Sequence, residues 1–278
     1  MVGKALVLGG GGVVGVAWEI GILVGLAAAG VDLCTADLFV GTSAGAVVAA
    51  QITSGSDLEV LYTRQLTGYV EELPGKMSVA TMVAMGVANL RSRDGAAFRR
   101  RAGRIALTAR TVTQAQRRAV MESRLPSTVW PDRRLLITAV DAESGERIAF
   151  DRDAGVPLID AVGASCAVPG VWPLVSIGGR RFIDGGMSSP TNVDLAAGYE
   201  RIVVVAPTTL GGGAIPRLSA QIAELRRQAK RVAVVAPDKA ARRAFGRNWL
   251  DPARRASAAR AGRAQAAVVA AEVESVWS

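Results

Sequence analysis

The stretch from Leu38 to Ala50, Leu-Phe-Val-Gly-Thr-Ser-Ala-Gly-Ala-Val-Val-Ala-Ala, limits the possible folds more than any other part of the chain. Its first residues read as a short buried strand. Gly41-Thr42-Ser43-Ala44-Gly45 then forms a Gly-x-Ser-x-Gly turn, and the small residues beyond it suit a helix running to about Ser54. Such an elbow holds a serine at a cramped strand-to-helix corner, with its hydroxyl projecting from the end of a sheet. Strand and helix backbones nearly touch there, which explains Gly41 and Gly45. A helix beginning at Ser43 also offers unpaired N–H groups and a positive dipole end to a developing negative charge. Yet the 278 residues contain no histidine, so a Ser-His-Asp relay cannot activate Ser43.

Ahead of the elbow, Lys4 to Leu8 is a second strand pattern, followed by Gly9-Gly10-Gly11-Gly12-Val13-Val14-Gly15 and helix signals from Val16 to Ala29. With a strand from Asp37 to Gly41, this strand–helix alternation predicts a parallel sheet with right-handed crossovers. The glycine loop has three readings. Gly10-x-Gly12-x-x-Gly15 fits a dinucleotide fingerprint, but the second strand lacks the acid that would hold a ribose. A plain tight turn is another. Beside an elbow on the next strand, the favoured reading is a set of backbone donors around the oxyanion of a tetrahedral intermediate.

Residues from Asp57 to about Arg124 read as mostly helical, with about 68–125 a helical insertion that could act as a lid. Lys76 to Leu90 carries Met77, Met82 and Met85 and is expected to pack in the core, a lid or lipid-contact helix being the alternative. Arg91 to Arg104, basic and interrupted by Gly95 and Gly103, reads as a mobile crossing between two helices. Leu125-Pro126 and Trp130-Pro131 mark the return to the sheet. A strand at Arg134–Val140, a hairpin to Phe150, a short helix at Pro157–Ala164 and a hairpin at Trp172–Ile183 then deliver Asp184-Gly185-Gly186 to a loop. Strands at Ile202–Ala206 and Val232–Ala236 and helices at Ile215–Lys230 and Asp251–Val273 complete the chain. Without repeat or low-complexity linker, residues 1–278 are expected to form one domain.

Half of the residues are hydrophobic, enough to bury a substantial core. Cys34 and Cys166 supply no disulfide framework and suit a reducing cytosol. The apolar N-terminal run is broken by Gly9 to Gly12 and by Glu19, so it does not read as a leader, and the uncharged span from Leu38 to Ser56 contains the elbow. A soluble, cytoplasmic protein is expected. Net charge is +9, mostly arginine in Arg91–Arg118, Arg217–Arg231 and Arg242–Arg263. These runs read as solvated faces, with peripheral contact to an anionic membrane as the alternative. Neither zinc-ligand spacing nor an aromatic-studded basic ribbon is present, so neither metal nor nucleic acid is expected.

Without histidine, the base for Ser43 must be a carboxylate, a lysine or a terminal amine. Lys4 stands at the wrong end of its strand, and no Ser-x-x-Lys motif occurs. Asp184 follows a strand and is flanked by Gly185 and Gly186, although Asp-Gly alone commonly marks a turn.

Taken together, the glycine loop, Gly-x-Ser-x-Gly and Asp-Gly-Gly, in this order and at these separations, resemble the patatin-like phospholipases over nearly the whole chain. Ala164-Ser165-Cys166-Ala167-Val168-Pro169 ahead of Trp172-Pro173, and Ser189-Pro190-Thr191, match as well. The resemblance implies a three-layer α/β/α sandwich with a mainly parallel sheet, and a Ser–Asp dyad that hydrolyses acyl esters of lipids without cofactor or metal. It assigns Ser43 as nucleophile, Asp184 as base and Gly10, Gly11 and Gly12 as oxyanion donors. Gly15, Gly41, Gly45, Gly185 and Gly186 would shape the loops. Val14 stands where the family usually has Arg or Lys, and the segment before Gly21 is one residue longer. A lysophospholipase or simple esterase is therefore as compatible as a phospholipase A, and a weakly active lipid-binding or scaffold relative is the alternative. Transfer to a carrier protein would need the missing histidine.

Overall fold

A computed structural model describes residues 3–69 and 72–278. Residues 70–71, within the helical insertion expected at 68–125, and the first two residues of the expected domain lie outside the described part.

The chain opens with β1 (Lys4–Leu8), α1 (Gly12–Ala28), β2 (Leu38–Thr42) and α2 (Ala44–Thr53). Next come four helices, α3 (Leu58–Thr67), α4 (Val79–Leu90), α5 (Gly95–Thr108) and α6 (Gln114–Arg124). The sheet resumes with β3 (Leu135–Asp141), β4 (Arg147–Phe150), α7 (Leu158–Ser165), β5 (Val175–Ile177) and β6 (Arg180–Asp184). It closes with β7 (Arg201–Val205), α8 (Leu218–Arg227), β8 (Arg231–Val235), α9 (Lys239–Phe245) and α10 (Arg255–Trp277). Within one eight-stranded sheet, β3, β2, β1, β7 and β8 run parallel, whereas β4 and β6 pair antiparallel with β3 and β5 with β6.

Helices cover both faces, as a largely parallel sheet requires. On one face Leu6, Leu8, Phe39, Val203 and Val205 pack with α1, α2, α7 and α10. On the other, Ala5, Val7, Val40, Ile202 and Val204 meet Leu218, Ile222 and Leu225 of α8. The central strands are consequently apolar on both sides. The fold is thus mixed α/β with helices on either side of a central sheet. Small residues let α1 and α10 approach closely: a Cβ on Gly21 would lie 2.2 Å from Ala259 O, and one on Gly262 would lie 2.3 Å from Trp18 O. Among the described residues, no helix is long and apolar enough to cross a membrane.

Several expectations are corrected. α1 begins at Gly12 rather than Val16, so the glycine loop is itself the start of the helix. Glu19, read as a break in an apolar run, is fully buried in α1. Burial pushes its carboxyl well above the usual range, which the Gly9 backbone opposes only in part. The basic segment at 91–104 is largely the seated helix α5, because Phe98, Ala102 and Ala106 share one face and pack on Val140, Ala142 and Ile183. α4 is not core: Ala88 is its only buried residue, while Val79, Met82, Val83, Val87 and Leu90 are exposed. Finally, the arginine runs are not wholly solvated, since Arg117 and Arg255 within them are buried, as is Arg124 just beyond the first.

Candidate active site

Ser43 stands between the last residue of β2 and the first of α2, with φ 53 and ψ −113. A non-glycine residue there is strained by about 1–3 kcal/mol, and the surroundings must hold it. Below it, a Cβ on Gly45 would lie 2.1 Å from Leu8 O, and one on Gly41 would lie 2.6 Å from the Ala46 Cα. The end of α7 clamps it from the side. Ser43 N–H donates to Ser165 Oγ at 2.9 Å, and the Cys166 thiol donates to Ser43 O at 3.2 Å.

Strand β3 brings the second partner. Gly41 pairs with Ile137 and Thr42 with Thr138, and the next residue, Ala139, pairs with Asp184. β4 takes the opposite edge of β3 from Ile137 to Val140. β2 and β6 therefore share one edge and meet end to end, each with its carboxyl end at the junction. The Ser43 hydroxyl donates to Asp184 Oδ2 at 2.7 Å, and Gly186 N–H donates to Oδ1 at 2.7 Å. Burial pushes the Asp184 carboxyl up to about 6, against the hydrogen bonds from Ser43 and Gly186 and the charge of Arg117. The carboxylate is therefore ionised near neutral pH and more basic than an exposed aspartate.

The glycine loop closes over this pair, and a Cβ on Gly10 would lie 3.5 Å from the Ser43 Cβ. Gly10 N–H, expected as an oxyanion donor, is instead committed to Pro190 O at 2.8 Å. Gly11 N–H and Gly12 N–H have no backbone acceptor among the described residues, nor does Ala44 N–H at the start of α2. Gly12 is left-handed at φ 64, which turns the chain into α1, and Gly15 packs beside Ala44. Gly185 fits against Thr138, where a Cβ would lie 2.4 Å from its carbonyl oxygen. Val14 is buried and donates its N–H to Trp249 O, so the loop itself carries no cation.

Asn192, which the sequence did not single out, joins these parts. Its side-chain amide donates to Thr42 Oγ1 at 3.0 Å, Thr138 Oγ1 at 3.2 Å and Ser189 O at 3.0 Å. Its backbone is left-handed at φ 51, a region that asparagine tolerates. From Ser43 a groove of about 700 Å³ opens outward, lined by Met77, Met82, Met187, Leu210, Ile215 and Trp249 among others. A separate groove of about 760 Å³ along α8 has the Thr209 and Ser219 hydroxyls in its lining but no carboxylate to activate them.

A search among curated proteins finds no match. Among solved structures, VipD from Legionella pneumophila is similar at 12% identity and a TM-score of 0.49, covering 98% of this chain and 67% of that one. The type III effector protein ExoU is similar at 15% identity and a TM-score of 0.46, covering 98% of this chain and 53% of that one. The chain thus spans about two thirds and about half of those two proteins. Residues 6–197 match the sequence profile of the patatin-like phospholipases, a span that runs from β1 past the Asp184 loop, and on that match the chain belongs to the patatin-like phospholipase family.

Proposed function

We propose that the protein is a serine acyl-ester hydrolase acting on lipids, with Ser43 as nucleophile and Asp184 as its base, the 278 residues working as one catalytic domain. The observation that carries this reading is the 2.7 Å hydrogen bond from Ser43 Oγ to a buried carboxylate, in a chain without histidine, at the head of an apolar groove. An acyl chain lies in the groove with its ester carbonyl at Ser43. Asp184 Oδ2 takes the hydroxyl proton as Oγ attacks the carbonyl carbon. Gly11 and Gly12 N–H groups receive the oxyanion, an interaction worth about 3 kcal/mol per donor. As the intermediate collapses, the C–O bond to the alcohol breaks and Asp184 returns the proton to the leaving oxygen. Water then attacks the acyl-enzyme, Asp184 accepting its proton. Breaking the ester to Ser43 releases the fatty acid and restores the hydroxyl.

The exposed apolar side of α4 flanks the same groove, with Lys76 and Arg91 at its two ends. It supports α4 as the surface that meets a lipid aggregate and as a movable cover for the groove. A fluorophosphonate probe tests the central reading: Ser43 labels in the native protein, and neither Ser43→Ala nor Asp184→Asn labels or hydrolyses nitrophenyl esters. A folded native protein that resists the probe would instead fit a lipid-binding relative without catalysis.

A further inference from the structure

On its other side Ser43 borders a second, much smaller cavity of about 30 Å³, lined by Gly12, Ala44, Cys166, Leu250, Arg117 and Arg124 among others. About two oxygens fit there. Both arginines come from α6, about two turns apart on one face, and are 9% and 6% exposed. Neither guanidinium makes an ion pair or side-chain hydrogen bond among the described residues, and the Nε of each is buried without a partner. Their planes are fixed by aromatic rings. Arg117 Cζ lies 3.9 Å from the Trp172 centroid, and Arg124 Cζ lies 5.9 Å from that of Tyr69. Arg255 shares the Tyr69 ring and takes the carboxylate of Glu72.

The nearest carboxylates, Asp184 for Arg117 and Glu72 for Arg124, act on them only through space among the described residues, so two costly buried cations face a cavity with donors unused. Burial lowers the Arg117 guanidinium to about 10, leaving it charged at neutral pH. Arg124 is lowered for the same reason. We propose that Arg117 and Arg124 form an anion subsite that takes the phosphate of a glycerophospholipid or lysophospholipid while the ester carbonyl sits at Ser43. The groove and this cavity share Gly12, Ser43, Val168 and Leu250, so the two spaces adjoin at the nucleophile, as one lipid occupying both would require. Its acyl chain has the large apolar space, and two phosphate oxygens have the small cationic one. Forked guanidinium donors suit such oxygens better than a single ammonium would. This proposal rests on the hydrolase reading of Ser43.

The test compares kcat/KM on 1-acylglycerol 3-phosphate with that on the uncharged 1-acylglycerol of the same chain, and in parallel measures binding of the ether analogues to Ser43→Ala. The native protein is expected to favour the phosphate-bearing substrate. Arg117→Met and Arg124→Met should each reduce that preference about 10- to 100-fold, the size expected for losing a charge-assisted hydrogen bond. Arg124→Lys should recover part of it. Inorganic phosphate should compete with the phosphate-bearing ether. A native preference near one, or a preference untouched by either arginine change, overturns the subsite while leaving an active hydrolase. Arginine-dependent binding of the phosphate ether without turnover of either ester upholds the subsite and sinks the hydrolase. Inorganic phosphate binding with no discrimination between the two ethers makes free phosphate the occupant and overturns the headgroup assignment. If the methionine variants fail to fold, the lysine variant and the phosphate competition decide.

Discussion

Two stretches of this chain look alike in composition and behave in opposite ways. Leu38–Ala50 and Val79–Leu90 are both apolar, rich in small residues and almost uncharged. Every residue of β2 and α2 is buried, whereas α4 buries only Ala88. What separates them is neighbours. The elbow lies between β1 and β3 with α1 and α7 above it, so each side chain meets protein on all sides. α4 leans chiefly on α5 and leaves its apolar flank to solvent beside the groove. Hydrophobicity alone does not set burial. A fully enclosed corner and an exposed apolar flank can be built from the same alphabet.

The largest effect expected on the enclosed side is chemical. Ser43→Ala and Asp184→Asn should each lower kcat by about a thousandfold or more on any ester, with near-native circular dichroism. Retained turnover in either would break the contrast at its functional end. Next comes a matched pair of glycines. Gly45→Ala must displace backbone, because its Cβ would meet Leu8 O at 2.1 Å, and should cost about 4 kcal/mol or more. Gly86→Ala in α4 meets nothing within 4 Å and should stabilise by about 0.5–1 kcal/mol, read by urea unfolding. Equal effects at the two positions would dissolve the distinction.

The double change Val79→Ser and Val83→Ser removes apolar area from the exposed flank. Hydrolysis of phospholipid vesicles should fall roughly tenfold, against less than twofold for a short soluble ester. Similar losses on both substrates would assign α4 an internal role. The pH–rate profile follows from Asp184, whose carboxyl titrates at about 6. Activity should drop about tenfold per pH unit below that value and show no limb from histidine. A profile flat from pH 4 to 8 would remove Asp184 as base.

The smallest effect concerns Glu19. Its folded-state value lies well above its ordinary 4.5, so the native state holds a proton that the unfolded state releases. Stability therefore falls as pH rises from about 4.5 towards the folded value, and is not lost on acidification below it. Glu19→Gln should flatten this decline, giving a Tm advantage over native protein that grows from pH 5 to pH 8. An advantage that shrinks over that range would reverse the sign.

Much of the site was legible along the chain. Ser43 and its flanking glycines follow from a local pattern, the strand-to-helix corner, whereas Asp184 stands out only through the family resemblance, because Asp-Gly alone commonly marks a turn. The helix in Arg91–Arg104 was legible too in principle, since Phe98, Ala102 and Ala106 repeat at helical spacing beneath the arginines. Other members left less: Ser165 lies in a stretch that matches the family but with no role attached, and Asn192 left no trace. Ser165 and Asn192 act through partners 122 and 150 residues away. The engagement of Gly10 N–H depends on where Pro190 O falls. Arg117 and Arg124 share the helical face of Val120 and Met121, but that spacing does not say whether a long arginine on it stays buried or reaches back to water.

The amino-acid order by itself determined the alternation of strands and helices, the elbow and the exclusion of a histidine relay, because backbone sterics and side-chain chemistry act over a few residues. Tertiary structure alone decided that β2 and β6 end on adjacent residues of β3, which of the glycine amides stay free, and which arginines lose water. Those outcomes depend on register and packing between distant segments, where a shift of one residue would turn Asp184 away from Ser43.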